Sequence, residues 1–202
     1  MPVELGPLLA VFERARHLGF LGPGPVVEHV DHAAGFLAAL AQVEGRVIDL
    51  GSGGGVPGLV IALARPDLEV VLVDATAKRC RFLEDAVDQL GLAVTVVEDR
   101  AEVVGHGSYR GTAAAVTARS FGAPAVTAEC GAPLLQVNGV LIVSEPPVRA
   151  GDRWSQTDLG RLGLELGPAP TTSPAVQVLR LVAPCPAMYP RRVGVPGKRP
   201  LF

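Results

Sequence analysis

The feature that most constrains the fold of this chain is a glycine-rich turn between a β-branched apolar run and a helix-like run. Residues 46–64 read "RVIDLGSGGGVPGLVIALA", and five glycines lie between Gly51 and Gly58. Glycines let the backbone adopt positive φ and let a ligand approach it closely. A strand, a glycine turn and a helix in this order predict the first βαβ unit of a parallel sheet, with a ligand site beyond the carboxyl end of the strand.

The rest of the chain continues this alternation of strands and helices. Apolar patterns predict further strands at 69–75, 93–99, 113–120, 139–145 and 173–184, and helices at 56–64, 78–91 and 124–133. The pattern is typical of an α/β fold with a mainly parallel, doubly wound, Rossmann-like sheet. We assign residues 46–185 to this domain, residues 1–45 to a short helical N-terminal extension, and residues 186–202 to an irregular basic C-terminal segment.

Composition excludes several classes of protein. With 49% hydrophobic and 19% charged residues in 202, the chain is globular rather than disordered. No apolar run is long enough to span a bilayer, and the first residues lack the basic start of a signal peptide. The three cysteines are far apart and indicate neither a disulfide framework nor a zinc site. We therefore expect a cytoplasmic protein without a metal, and a net charge of −2 restricts any nucleic-acid surface to a local patch.

Two ligand classes use a glycine turn at this position, and the flanking residues discriminate between them. Dinucleotides place a pyrophosphate there, and Gly53, Gly55 and Gly58 match the GxGxxG spacing of such sites. Asp49, however, precedes the first glycine by two residues, and Pro57 removes an N–H donor at the helix start. A carboxylate disfavours a dianion but favours an ammonium and a sulfonium. We predict S-adenosylmethionine as the cofactor, bound near Asp49, Gly53 and Gly55; a turn without a ligand is the structural alternative.

Acids at the ends of the next two predicted strands fit the same ligand. Asp74 ends the second strand and is placed to accept hydrogen bonds from ribose hydroxyls. Its alternative role is to cap the helix that follows Thr76. Glu102, in "EDRAE" after the third strand, or a backbone amide near it, would meet the adenine edge. Its alternative is a solvated acid.

Several segments together resemble one family. "DLGSGGGVPGLVIA", "VDATAKRCRFLEDAVDQLGL", "VVEDRAE", "TARSFGAPAV" and the closing "YPRRVGVPGKRPL" are similar to the bacterial 16S ribosomal RNA guanine-N7 methyltransferases, also called the glucose-inhibited division protein B family. The resemblance covers about residues 46–145 and 189–201. It implies a class I S-adenosylmethionine-dependent methyltransferase fold and transfer of a methyl group to N7 of a guanine in the 530-loop region of 16S ribosomal RNA.

The resemblance also implies the site residues and the partner. The family's cofactor contacts correspond here to Gly51, Val56, Ala101, Glu102 and Arg119. Arg119, at the end of the fourth strand, would hold the cofactor carboxylate, the guanine O6 or a phosphate; its alternative is a structural ion pair. Guanine N7 is already a lone-pair nucleophile, so we expect no general base. The partner would be 16S ribosomal RNA or the small-subunit particle, and we expect a monomer.

Two departures from the family pattern leave other functions open. The N-terminal stretch "VVEHVDHAAGF" stands where the family carries His-x-x-Asp-Ser-Leu, and Glu145 of "SEPP" stands where the family carries a lysine. A lysine there would meet RNA phosphate, and a glutamate would not. A class I methyltransferase acting on another RNA or a small molecule, and a non-catalytic protein that binds S-adenosylmethionine or the ribosome, are the alternatives.

The C-terminal segment, residues 186–202, is predicted to contact RNA. It contains Arg191, Arg192, Lys198 and Arg199 and no acid. Its prolines and glycines predict irregular structure. A basic irregular segment beside a nucleic-acid enzyme fits a phosphate clamp; a solvated end is the alternative. The sequence alone also places this segment apart from the cofactor loop, so its removal is expected to leave cofactor affinity unchanged.

Overall fold

The computed structural model describes residues 5–146, 153–168 and 174–202. The first four residues of the predicted N-terminal extension and the first residue of the predicted strand 173–184 lie outside these ranges. The helices are Leu5–His17 (α1), Val26–Ala39 (α2), Gly58–Ala64 (α3), Ala77–Leu90 (α4), Ala101–Val104 (α5), Pro124–Gly131 (α6), Gln156–Arg161 (α7) and Val195–Lys198 (α8). The strands are Arg46–Leu50 (β1), Glu69–Asp74 (β2), Val94–Glu98 (β3), Ala113–Ala118 (β4), Leu135–Ser144 (β5), Leu164–Leu166 (β6) and Val176–Leu181 (β7).

The seven strands form one sheet in the order β3-β2-β1-β4-β5-β7-β6. Strands β1 to β5 pair in parallel, and β7 is antiparallel to both β5 and β6. Leu50, the last residue of β1, lies opposite Val73 of β2 and Ala118 of β4. The carboxyl ends of these strands therefore meet at one edge of the sheet, and the predicted mainly parallel α/β fold is confirmed.

Both faces of the sheet are covered because side chains alternate along each strand. Val47 and Val70 belong to the core beneath α1 to α4, whereas Ile48 and Val71 belong to the core beneath α5, α6 and α7. The two N-terminal helices are part of the first core, in which Phe12 is fully buried. At roughly 1.5–3 kcal/mol for each large apolar side chain buried, the two cores hold the strand ends in place.

Local structure differs from the sequence prediction where elements are short. The predicted helix 124–133 ends at Gly131 and continues as a 3-10 turn, and β5 begins at Leu135 rather than at 139. Helices α5 and α7 and strand β6 were not predicted, because three to six residues are too few to show a period.

The C-terminal segment is more regular than predicted. It forms one helical turn, α8, with Pro196 in the position where a missing N–H costs nothing. No helix within the described ranges has the length and apolar character needed to cross a membrane.

Candidate cofactor and substrate site

The glycine turn after β1 is held by its own backbone donors. Gly51, Gly53 and Gly55 have φ values of 69°, 55° and 93°, which side-chain-bearing residues rarely adopt. The N–H groups of Gly51 and Ser52 both donate to the Val73 carbonyl, at 2.8 and 3.0 Å, and the Gly55 N–H donates to Ser52 at 2.7 Å. These donors are therefore directed into the protein and not toward a ligand phosphate.

Asp49 lies behind the turn and is 1% exposed. Its Oδ1 accepts a hydrogen bond from the Thr117 hydroxyl on β4 at 2.7 Å, whereas its Oδ2 has no partner among the described residues. Burial raises the pKa of this carboxyl to about 6, although the Thr117 and Ser52 hydroxyls and the Gly58 amide oppose the shift. An added Cβ at Gly58 would meet Asp49 Oδ2 at 2.8 Å, so only glycine fits there.

Asp74 connects the glycine turn to the second strand. It is 4% exposed; its Oδ2 accepts from the Gly53 N–H at 3.0 Å, and its Oδ1 accepts from the Thr76 N–H at 2.9 Å. Arg79 approaches Oδ2 at 3.6 Å. A carboxylate offers about four acceptor positions, so Asp74 carries the bond at the start of α4 and still has capacity for two further donors.

Glu102 in α5 is also buried, and the C-terminal segment reaches it. Its Oε1 accepts from the Gly194 N–H at 2.9 Å and from the Arg100 guanidinium at 3.3 Å. Burial by itself raises the pKa of this carboxyl, but the Gly194 N–H, the residue's own N–H and Arg100 outweigh it and leave the pKa lowered. Both of these bonds are to Oε1, so the carboxylate retains acceptor positions on Oε2.

Arg119 follows β4 and is half-buried beside His29 of α2. Its Nη2 lies 2.9 Å from His29 Nδ1. A guanidinium only donates, so Nδ1 accepts and the proton of the neutral imidazole is on Nε2, an atom without a partner in the described part of the chain. Burial first, and then the charge of Arg119, lower the pKa of His29. Burial also lowers the pKa of Arg119, while Asp49 raises it.

These residues surround two adjoining clefts of about 290 Å³ each. The first brings together Gly51, Asp74, Ala101 and Glu102 from the predicted set, together with Gly194 and Gly197. The second brings together Gly51, Gly53, Val56 and Arg119, with His29 and with Phe20 and Leu21 from the α1–α2 connection. Two predicted residues line neither cleft: Asp49, which lies behind the turn, and Gly55, which belongs to the turn itself.

A third cleft of about 310 Å³ shares Arg119, Ser120 and Phe121 and extends to the end of β5. Glu145 lies there with its side chain 4% exposed; it accepts from Arg153 at 2.7 Å and from the Trp154 indole N–H at 2.9 Å. The side chain of Glu145, which stands where the family carries a lysine, is therefore buried, and its carboxylate holds Arg153 in the cleft.

The four cations of the C-terminal segment are not equivalent. Arg191 forms an ion pair with buried Glu129 of α6 at 2.6 Å, whereas Arg192, Lys198 and Arg199 are exposed. His29, Glu129 and Arg153 were missed by sequence reasoning. Of these three residues, only Glu129 could have been noticed from the sequence, because it is the single charged residue of helix α6.

The sheet order, the antiparallel β7 and the clefts at the carboxyl edge define the fold of the class I methyltransferases. In agreement, the 16S rRNA (adenine(1408)-N(1))-methyltransferase W203A mutant from Catenulisporales acidiphilia has a TM-score of 0.54 at 20% identity, covering 78% of this chain and 92% of that chain. This likeness concerns the fold alone.

The family model described as rRNA small subunit methyltransferase G matches residues 26–145. A relative of that name from Rubrobacter xylanophilus is 36% identical over 98% of this chain and 82% of its own length. Another from Deinococcus radiodurans is 38% identical over 79% of this chain and 67% of its own. This chain belongs to the ribosomal RNA small subunit methyltransferase G family, and the resemblance read from its segments is confirmed.

Proposed function

We propose that this protein transfers a methyl group from S-adenosylmethionine to N7 of a guanine in 16S ribosomal RNA. The observation that carries the proposal is the pair of adjoining clefts at the carboxyl edge of the sheet, in a chain of this family. The first cleft has an acid, Asp74, with unused acceptor capacity, and the second has an arginine, Arg119, with a fixed orientation.

The donors of the glycine turn argue against a dinucleotide. A pyrophosphate site needs backbone N–H groups that point at the ligand, but those of Gly51, Ser52, Gly53 and Gly55 already have protein partners. The residues fit a cationic ligand better. Asp49 provides a buried carboxylate with one unpartnered oxygen behind the turn, and a nearby ammonium or sulfonium would stabilise its charge.

We assign the ribose and adenine of the cofactor to the first cleft and its amino-acid part to the second. Asp74 would accept from the ribose hydroxyls, and backbone groups at Ala101 and Glu102 would meet the adenine. Gly51 lines both clefts, and a Cβ there would lie 2.7 Å from Phe121 Cδ2, so the glycine lets the Phe121 ring pack against the turn. Val56 and Arg119 complete the second cleft.

The reaction requires the protein to position the methyl donor and the base, and it does not require a side chain to transfer a proton. S-adenosylmethionine supplies an electrophilic methyl group when bound. Guanine N7 carries a lone pair, so no side chain has to remove a proton before attack. Arg119, oriented by His29, would donate to the guanine O6 or to a phosphate, and Phe121 and Arg153 line the third cleft into which the base would enter. Effective molarity from such positioning can account for several kcal/mol of rate acceleration.

The exposed cations of the C-terminal segment would contact the RNA backbone. Arg191 is paired with Glu129, so we assign the phosphate contacts first to Arg192, Lys198 and Arg199. The Arg191 side chain is partly exposed and would add a weaker contact. Replacing those three by alanine should reduce the salt slope of RNA binding by about 2, at ~0.7 for each single-strand phosphate contact. Superimposable salt slopes for the variant and the unaltered chain would remove the clamp from the proposal.

Mass spectrometry of ribosomal RNA tests the function directly. A strain lacking the gene should lose one 7-methylguanosine from its 16S ribosomal RNA. The unaltered chain should restore the modification, whereas an Arg119→Lys chain at equal abundance should restore much less. An unchanged RNA with a changed metabolite would select the small-molecule alternative, and no change in methylation at all would select the non-catalytic one.

A further inference from the structure

Two side chains of the α5–β4 connection bind the first residues of the C-terminal segment to the domain. The Arg110 guanidinium donates to the carbonyls of Cys185, Pro186 and Tyr189 at 2.9, 3.1 and 2.7 Å. His106 Nε2 lies 2.7 Å from the Pro190 carbonyl. Four backbone carbonyls between residues 185 and 190 are therefore bound by side chains, which fixes the path of the backbone up to residue 190.

A buried ion pair fastens the next residue. Glu129 of α6 is 1% exposed, and its carboxylate accepts from the Arg191 backbone N–H at 2.8 Å and from the Arg191 Nε and Nη2 at 2.8 and 2.6 Å. Arg191 Nη2 also donates to the Arg199 carbonyl at 2.8 Å. The pair thus holds both ends of the turn formed by residues 191–199.

The turn held in this way forms one side of the first cleft. Gly194 and Gly197 line it together with Asp74 and Ala101, and the Gly194 N–H binds Glu102 at 2.9 Å. Arg191 itself does not line the cleft. It can influence a ligand there by fixing the turn, whose Gly194 binds Glu102 of α5, and by holding α6, whose Val126 and Cys130 line the cleft.

We propose that the C-terminal segment is a wall of the cofactor site, and that Arg191 is a positioning residue for the cofactor through its pair with Glu129. This proposal rests on the cofactor assigned above and replaces the expectation from sequence that the segment is independent of the cofactor loop. It has a second consequence. If RNA binds the exposed cations of the same segment, then cofactor and RNA affinities are coupled, and each ligand changes the affinity of the other by the same factor.

Two adjacent arginines allow a matched test. Arg191→Ala and Arg192→Ala remove the same charge from the same segment, but only the first removes an anchor. Calorimetry with S-adenosylhomocysteine in the absence of RNA should show affinity reduced roughly 10-fold or more for Arg191→Ala and changed by less than about 2-fold for Arg192→Ala. Arg191→Lys, which retains the charge but not the planar fork, should recover part of the loss. Unchanged affinity in a folded Arg191→Ala protein would overturn the proposal.

Removing Arg191 leaves the Glu129 charge buried without its partner, which can unfold a protein, so a measurement on the unaltered chain is also needed. Hydrogen exchange should slow in the peptide covering residues 190–199 when S-adenosylhomocysteine binds, and should not change in β6 at the far edge of the sheet. Equal exchange with and without ligand at 190–199 would overturn the proposal whatever the variants do. If the unaltered chain binds no S-adenosylhomocysteine, the cofactor assignment itself fails, and this inference falls with it.

Discussion

Replacing Asp74 by alanine should weaken cofactor binding through the ribose hydroxyls. The carboxylate has about four acceptor positions, and the Gly53 and Thr76 N–H groups use two of them. Two positions remain for the two hydroxyls. Each charge-assisted hydrogen bond lost is worth ~1.5–3 kcal/mol, which corresponds to roughly 10- to 100-fold in affinity.

The same substitution removes two bonds within the protein, so a lower affinity alone would be ambiguous. With each bond at the lower end of that range, ~1.5 kcal/mol, loss of the Gly53 and Thr76 bonds should lower the free energy of unfolding by about 3 kcal/mol. Urea denaturation measures this change. A looser glycine turn would also weaken the binding of any ligand in the cleft.

A ligand that lacks the hydroxyls separates the two effects. S-adenosylhomocysteine and its 2′,3′-dideoxy analogue are titrated calorimetrically into the unaltered and Asp74→Ala proteins, which forms a thermodynamic cycle. Removal of both hydroxyls should cost the unaltered protein roughly 100-fold or more in affinity and the variant less than about 3-fold. An equal cost in both proteins would mean that Asp74 only braces the turn, and the ribose assignment would be refuted.

Three further predictions concern the second cleft and its support. Arg119→Lys should reduce single-turnover methyl transfer by roughly 10-fold or more, whereas Arg180→Lys, whose guanidinium binds the Asn138 carbonyl, should not. Methyl transfer should fall as the pH drops through the lowered pKa of His29, because the imidazolium cannot accept from Arg119. His29→Asn, whose amide oxygen can still accept, should remove that acid limb of the pH–rate profile, and a limb that persists near pH 6 would point to the carboxyl of Asp49 instead. Gly58→Ala should destabilise the fold by ~1–3 kcal/mol in urea because its Cβ would overlap Leu72 and Asp49, and Gly160→Ala, with nothing within 4 Å, is its control.

The parts of the fold that were predictable are those encoded by local patterns. The alternation of Val47 and Ile48 between two cores, the glycine turn after Leu50 and the end of α4 at Gly91 all follow from periodicity and backbone preference. The start of β5 at Leu135 and the short elements were not predicted, because Leu135 follows a proline-containing turn and because three to six residues are too few to show a period.

The site was predictable only as far as single residues at strand ends. Pairings between distant residues have no local signature. Arg119 and His29 are 90 positions apart, and Arg191 and Glu129 are 62 positions apart. Charge and composition therefore identified Arg191 as a cation but gave no indication of its buried partner, and the C-terminal segment was assigned to solvent and RNA alone.

The inward-pointing donors of the glycine turn make the turn rigid. Gly51, Ser52 and Gly53 each donate to an acceptor within the protein, so these bonds hold the turn in one shape without any contribution from a ligand, and we expect little ordering entropy to be lost there on binding. The same bonds restrict how the site can change in evolution. Conversion to a phosphate-binding turn would require several backbone groups to exchange partners at once, and each exchange would remove one donor from the Val73 carbonyl or from Asp74. Single substitutions in this turn should therefore abolish binding far more often than they redirect it to a nucleotide.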